Sequence, residues 1–365
     1  MRTTVAVLSW VMSMALLGSA AAAERPVEVW DQAELSFPGP REGNPFVDVE
    51  LGAEFTWGDK KTGERRVSVR GFYDGDGTYR VRFMPDREGT WRWVTRSNKA
   101  ELSGRQGSLK VVRASASNHG PVRVRDRFHF AYADGKPYHP FGTTIYALVH
   151  QDVGLQEQTL RTLGTAPFNK LRLCVFPKWY DYNRNEPPLY PFERNAEGKF
   201  DLTRPHVPFW KLLERRIAEL GKLGIEADLI LFHPYDENHW GFDRMGAEVD
   251  QRILRYMVAR LASQRNVWWS MANEWDFVKH RTVEEWNKLL DVIAAEDPYR
   301  HLTSIHNGVK WFDHNRPSIT HVSIQHSDTG RLREWRQQYG KPAVDDECMY
   351  EGDIEHPWGN ITGEE

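Results

Sequence analysis

The sequence predicts a multi-domain chain: an N-terminal antiparallel β-sandwich of immunoglobulin type, then a (β/α)8 barrel of the TIM type that lacks its eighth strand. Three observations predict it. Residues 26 to 113 alternate apolar and polar positions with period two between turn signals. A small, polar stretch, "ASASNHGP" at 114–121, breaks that pattern. Beyond it, short apolar runs alternate with amphipathic helical segments, as in βαβ units around a parallel sheet.

In chain order, the opening "MRTTVAVLSWVMSMALLGSAAAAERP" has one arginine, an apolar run and small residues before Glu24. It predicts a cleavable signal over 1–23, because the run is well short of the roughly 20 residues a membrane span needs. The mature chain is therefore expected to be secreted or periplasmic, with no membrane insertion. The sandwich is placed at 24–113, where "TYRVRFMP" and "TWRWVTRS" alternate and "YDGDGT" and "PDREGT" supply turns. A linker follows at 114–126, and the barrel occupies 127–365.

The seven strand candidates of the barrel are "HPFGTTIYAL", "FNKLRLCVF", "IEADLILF", "NVWWSMAN", "HLTSIHN", "ITHVSIQH" and "KPAVDDE". Among the intervening helices, "PFWKLLERRIAELGKLG" sets Trp210, Leu213, Ile217 and Leu220 on one face and stops at Gly224. Thr282-Val283-Glu284-Glu285 reads as a capping box. No strand is legible in "GDIEHPWGNITGEE" at 352–365.

Composition narrows the partners. With 48 basic and 51 acidic residues, the formal charge of −3 gives no electrostatic reason to expect nucleic acid. Two cysteines, Cys174 and Cys348, are no disulfide framework and read as small apolar residues. The 15 tryptophans point toward carbohydrate, since flat apolar rings match the C–H faces of pyranoses.

In a βα barrel the reacting groups come from the C-terminal ends of the strands and the loops after them. Those ends carry Arg172, His233, Asn273-Glu274, His306-Asn307, Gln325-His326 and Glu347. Glu274 stands at the end of the apolar "NVWWSMANEW", and Glu347 six residues after the Lys-Pro of "KPAVDDE". Read alone, each glutamate could cap a helix or pair with an arginine, and Asp345 and Asp346 rival Glu347.

Here the barrel resembles clan A of the retaining glycoside hydrolases. That clan has its acid/base on a glutamate after asparagine at the end of strand four, and its nucleophile on a glutamate ending strand seven. The resemblance implies Glu274 as acid/base, Glu347 as nucleophile and Asn273 as a ligand of the sugar 2-hydroxyl. The sandwich-plus-barrel order resembles a group of exported bacterial proteins with an uncharacterised β-domain before a glycosidase-like domain. One departure is clear: the clan often holds its nucleophile with a tyrosine on strand six, where "SIQHS" offers Gln325 and His326.

Glycoside cleavage needs one carboxylic acid to protonate the leaving oxygen and one carboxylate to attack the anomeric carbon. Arg172 near Glu347 would favour its ionised form, and an apolar wall such as Trp275 would raise the pKa of Glu274. Arg172 could equally serve a structural salt bridge. His233, His306 and His326 are candidates for shaping the pocket, Trp240 for stacking on sugar, and Trp179 for either a platform or core. "HPYDENHWGFDR" lacks a recognised metal spacing, so no metal or cofactor is expected. The absence of a GxSxG elbow disfavours a serine hydrolase. A non-catalytic carbohydrate-binding or interaction protein is the alternative, because a barrel short of one strand exposes two edges.

Overall fold

The structure, a computed structural model, describes residues 26–59, 63–181 and 183–348. The N-terminal part is β-rich. One sheet takes the order Val27–Glu28, Gln106–Val112, Gly89–Ser97, Leu51–Asp59, Gly63–Arg70, antiparallel except for its first pair. The second takes the order Ala33–Pro38, Thr78–Phe83, Phe72–Tyr73, antiparallel throughout. The alternating residues do what their period requires: Tyr79, Val81 and Phe83 meet Phe55 and Trp91 of the other sheet in a common core. Phe55 and Phe83 stack at 4.0 Å.

The outward-pointing residues of Thr78–Phe83 are not free in solvent. Arg82 is buried against the second half of the chain, where it donates to Glu214 at 2.7 Å and to the Arg260 carbonyl at 2.8 Å. Arg260 in turn pairs with Asp74 at 2.9 Å. A seam of charged groups thus docks one half on the other.

Residues 122–125, read from the sequence as the end of a linker, form a strand. They pair with His129–Tyr132, which pairs with Pro137–Tyr138. Phe130 and Tyr138 of this small sheet close on Trp268, with ring centroids 5.4 and 5.8 Å away.

The seven expected strands follow: β1 Gly142–Thr144, β2 Lys170–Cys174, β3 Glu226–Ile230, β4 Val267–Ser270, β5 Thr303–Ser304, β6 Val322–Gln325 and β7 Ala343–Glu347. β1 to β5 form one parallel sheet in sequential order, and β6 and β7 pair in parallel as a second. Every residue of β2 and β3 is buried, as expected of strands covered on both faces. Helices α1 Val153–Leu163, α2 Val207–Lys222, α3 Ala247–Leu261, α4 Val283–Glu296 and α5 Leu332–Tyr339 join successive strands, except between β5 and β6. Trp210, Leu213, Ile217 and Leu220 are fully buried on α2, and Gly224 takes the φ of +77° that ends it. α4 starts on the expected box: the Thr282 hydroxyl accepts from Glu285 N–H at 3.2 Å, and the Glu285 carboxylate accepts from Thr282 N–H at 2.7 Å.

Side chains tie the two parallel sheets together. Lys170 of β2 lies 2.7 Å from both Asp228 of β3 and Asp346 of β7. Lys341, just before β7, donates to the carbonyls of His314, Arg316 and Ile319 at 2.5, 2.7 and 2.6 Å, which anchors the helix-free β5–β6 connection. The segment in which no eighth strand was legible lies outside the described residues.

Candidate active site

β7 is irregular where chemistry is expected. Ile324 faces Asp345 in the ladder, but Gln325 faces Glu347, so Asp346 is an extra, bulged residue. Such a bulge re-aims side chains that strict alternation would send to opposite faces. Asp346 and Glu347 accordingly both find partners on β2. Asp346 binds Lys170 and accepts from Ser323 at 2.5 Å. Against the cost of burial, Lys170 and Arg172 hold its carboxyl well below the usual carboxylate range. Glu347 accepts from Arg172 Nη1 at 3.0 Å and from the Tyr146 hydroxyl. Asp345 is half-buried, its carboxyl pushed up to about 7 chiefly by burial.

Glu274 stands just past β4 with φ +49° and ψ +54°, a left-handed conformation that is uncommon without glycine. Its neighbours impose it. Asn273 N–H donates to the Phe232 carbonyl past β3, and Trp275 N–H to the His306 carbonyl past β5, both at 3.0 Å. The backbone is pinned on either side, and the carboxyl turns toward the strand ends. It accepts from Asn273 Nδ2 at 2.8 Å and from the Tyr235 hydroxyl. Burial first, and then the Glu347 charge, push its pKa up to about 7, against the contrary pull of Tyr235, Lys178 and Arg172.

Arg172 joins the two carboxyl groups. Fully buried, it binds Glu347 with Nη1 and the Asn273 side-chain oxygen with Nη2 at 2.8 Å, while Asn273 donates to Glu274. Burial works against its charge, and Asp346 and Glu347 outweigh that, so its pKa rises.

The other residues singled out in the sequence occupy varied places. His233 is buried with both ring nitrogens committed to backbone: Nε2 lies 3.1 Å from the Phe176 carbonyl, and Nδ1 accepts from Tyr235 N–H at 3.2 Å. It steers Tyr235, and burial lowers its pKa to about 4, so it is neutral. His306 is fully buried, and neither ring nitrogen has a hydrogen-bond partner among the described residues. Burial, then Arg172, lower its pKa to about 4. Trp275 packs into the core, edge-on to Phe312 at 5.1 Å. Gln325 is the ladder partner of Glu347, and its backbone is held by Asn307. His326 accepts from Asp328 N–H at 2.9 Å and lies edge-on to Trp335, away from the carboxyl pair's hydrogen bonds.

Trp179 and Trp240 form an aromatic corner with His239, which stacks on Trp179 at 3.7 Å. Glu186 clamps this corner, accepting from Trp240 Nε1 at 3.0 Å and lying 2.5 Å from His239 Nε2. Asp236 organises the loop beneath by accepting the N–H groups of Trp240, Gly241 and Phe242 at 2.7, 3.1 and 2.6 Å. Among the described residues no group of three or more His, Cys, Asp or Glu side chains is placed to hold a metal ion, and no helix is long and apolar enough to cross a membrane. Both cysteines are free.

Three residues at the centre had no signal of their own in the sequence: Tyr146, Tyr235 and Lys178. Tyr146 follows β1, and its hydroxyl meets Glu347, for which the sequence offered Gln325 and His326 on β6. All three lie within a few residues of a strand end, and that position was the one clue available.

Fold and site together define a two-part protein: a β-rich domain docked on parallel βα units that gather a carboxyl pair around one arginine. The chain belongs to the family described as "Apiosidase-like, catalytic domain", which matches residues 125–364. Residues 26–98 match a domain of unknown function, DUF5060. A crystal structure of a candidate glycoside hydrolase from Bacteroides vulgatus ATCC 8482 is 47% identical, with a TM-score of 0.89 over 93% of this chain and 68% of that one. A glycoside hydrolase family 5 protein from the same organism is 16% identical, with a TM-score of 0.47 over 64% of this chain and 54% of that one. A family 5 mannosidase from Rhizomucor miehei is 12% identical, with a TM-score of 0.48 over 64% of this chain and 73% of that one. At those scores neither bears on the argument. No curated protein matches the chain.

Proposed function

We propose that the protein is an exported retaining glycoside hydrolase in which Glu274 is the acid/base and Glu347 the nucleophile. The observation that carries this reading is the unequal carboxyl pair. Glu347 lies against a guanidinium that neutralises its ionised form, while Glu274 is buried and pushed up to about 7. A carboxylate paired with a guanidinium, beside a carboxyl whose pKa is raised to about 7, suits attack on the anomeric carbon by the first and protonation of a leaving oxygen by the second. Asn273, held between Glu274 and Arg172, is the residue proposed to bind the sugar 2-hydroxyl. The parallel βα succession, with β7 bound to β2 across the interior, supports a TIM-type barrel of the clan A kind. The two facing sheets of the N-terminal half support an immunoglobulin-like sandwich, and the apolar segment within 1–23 supports export.

The family's description makes apiosyl glycosides the first substrates to test, followed by plant and bacterial polysaccharides. On a substrate that the wild type cleaves, Glu274→Ala and Glu347→Ala should each lower kcat about a thousandfold or more. The sugar first released, followed by NMR, should keep its anomeric configuration. Release of the inverted anomer, or full activity in both variants, would overturn the two-glutamate scheme.

A further inference from the structure

Lys178 is a buried cation that the mechanism above does not use. It lies four residues past β2, only 3% exposed, and it forms no ion pair among the described residues. Its ammonium instead rests against three phenol rings: Tyr146 with the centroid 3.4 Å away, Tyr235 at 4.0 Å and Tyr180 at 4.5 Å. A desolvated ammonium on ring faces is held by the quadrupoles of the rings, and the rings are held in return. The hydroxyl of the first ring meets Glu347, and that of the second meets Glu274.

The backbone fixes this arrangement. The Lys178 carbonyl accepts from Asn183 Nδ2 at 2.6 Å, and Trp179 N–H donates to the Tyr235 carbonyl at 2.8 Å, so the loops after β2 and β3 are tied beside the lysine. We propose that Lys178 is a positioning residue of the carboxyl pair: clasped between Tyr146 and Tyr235, it fixes the two phenols that contact Glu347 and Glu274 and supplies positive charge facing both. This rests on the two-glutamate reading only for its catalytic consequence, because the geometry stands without it. Burial lowers the lysine's own pKa, and Cys174, Glu347 and Glu274 push it back toward the charged form.

The charged and titratable groups facing Glu274 are Glu347 on β7, Arg172 and Cys174 on β2, Tyr235 past β3 and Lys178 itself. Of these, Lys178 can be neutralised without removing a hydrogen bond to either glutamate. The test is a carboxyl 13C NMR titration of the full chain labelled in glutamate, with E274Q identifying the Glu274 resonance. In the wild type that resonance should titrate near about 7. In K178M, and in K178Q as a second neutral variant, the midpoint should move to higher pH, while K178R restores it. An unmoved or lowered midpoint in the neutral variants would overturn the proposal.

The titration needs no substrate, so it stands even where no glycoside is cleaved and the functional reading fails. On a cleaved substrate, the neutral variants should lose about 10- to 100-fold in kcat, since small misplacements of catalytic groups cost that much. KM should stay within about twofold, and the alkaline limb of the rate profile should shift up with the NMR midpoint. A rise confined to KM would make Lys178 a substrate contact and overturn the positioning role.

Discussion

The two glutamates differ in what the chain does to their charge, and Glu274 carries the sharper consequence. Its pKa rises from 4.5 to about 7 in the fold, so the native state binds its proton more tightly than the unfolded chain does. Stability from this proton is fully present below 4.5 and is lost as the pH rises through about 7. Glu274→Gln removes the penalty while keeping the shape. Relative to wild type, the variant should gain stability between pH 4 and pH 8, on the order of 3 kcal/mol at most. Urea unfolding at the two pH values measures the gain, and a difference that does not grow with pH would contradict it. Under the proposed role of Glu274 as the acid, the alkaline limb of kcat/KM should lie near the same midpoint, because only the protonated form could give a proton to a leaving oxygen. Glu274 stood out in the sequence because a carboxylate ending an apolar strand is costly without a purpose, and Glu347 because it ends the Lys-Pro-led "KPAVDDE". Tyr146 and Tyr235 did not, since a tyrosine in the loop just past a strand reads as core until its hydroxyl is seen on a carboxylate.

Elements were legible to the extent that one local signal decided them. The β1 to β7 runs, the apolar face of α2 and the capping box of α4 each follow from periodicity or a short motif. The β7 bulge does not, because it depends on how β6 pairs with β7, and it alone lets both Asp346 and Glu347 turn toward β2. The strand at 122–125 was read as linker because four residues ending in charged arginine give too little alternation to outweigh the Gly-Pro before them. The loop after β3 belongs to the same class. No local signal in "HPYDENHWGFDR" tells what its acidic residues do, whereas in the fold Asp236 accepts three backbone N–H groups that fold the loop under Trp240. Asp236→Ala should leave those donors unsatisfied and release the segment that carries Tyr235 and Trp240. The expected result is a fall of about 10- to 100-fold in kcat/KM, with protease cleavage appearing within 236–242. Unchanged activity with a protected loop would show that the segment is held by other contacts.

On the scale of the whole molecule, the sequence divides the chain in two, but nothing in it shows how firmly the halves are joined. The seam answers through charge. Arg260 on α3 is fully buried, lies 2.9 Å from Asp74 and 2.5 Å from Glu214, and rests on the Phe72 ring at 4.4 Å. Arg82 from the β-rich domain shares Glu214 and also covers Phe72. A second bridge runs from Arg70 to Glu296 on α4 at 2.9 Å, but it is partly exposed and so contributes little. The buried cluster is therefore the stronger of the two charged contacts. Removing one member of a buried ion pair costs about 3 to 5 kcal/mol, mostly because the remaining charge is stranded. Arg260→Met would cut the link between Asp74 and Glu214 while leaving Asp74 to Arg80 and Lys211 and Glu214 to Arg82, so the loss should lie toward the lower end of that range and fall on docking rather than on either core. The wild type should unfold in a single calorimetric transition, and the variant in two, with the β-rich domain separating from the βα units. Two transitions already present in the wild type would mean that the halves fold independently and that the seam orients them without coupling their stability. Because the seam engages helices α2 and α3 and shares no hydrogen bond or ion pair with Glu274 or Glu347 among the described residues, kcat below the first transition should stay close to wild type. A marked loss of kcat at that temperature would instead make the β-rich domain part of what shapes the site.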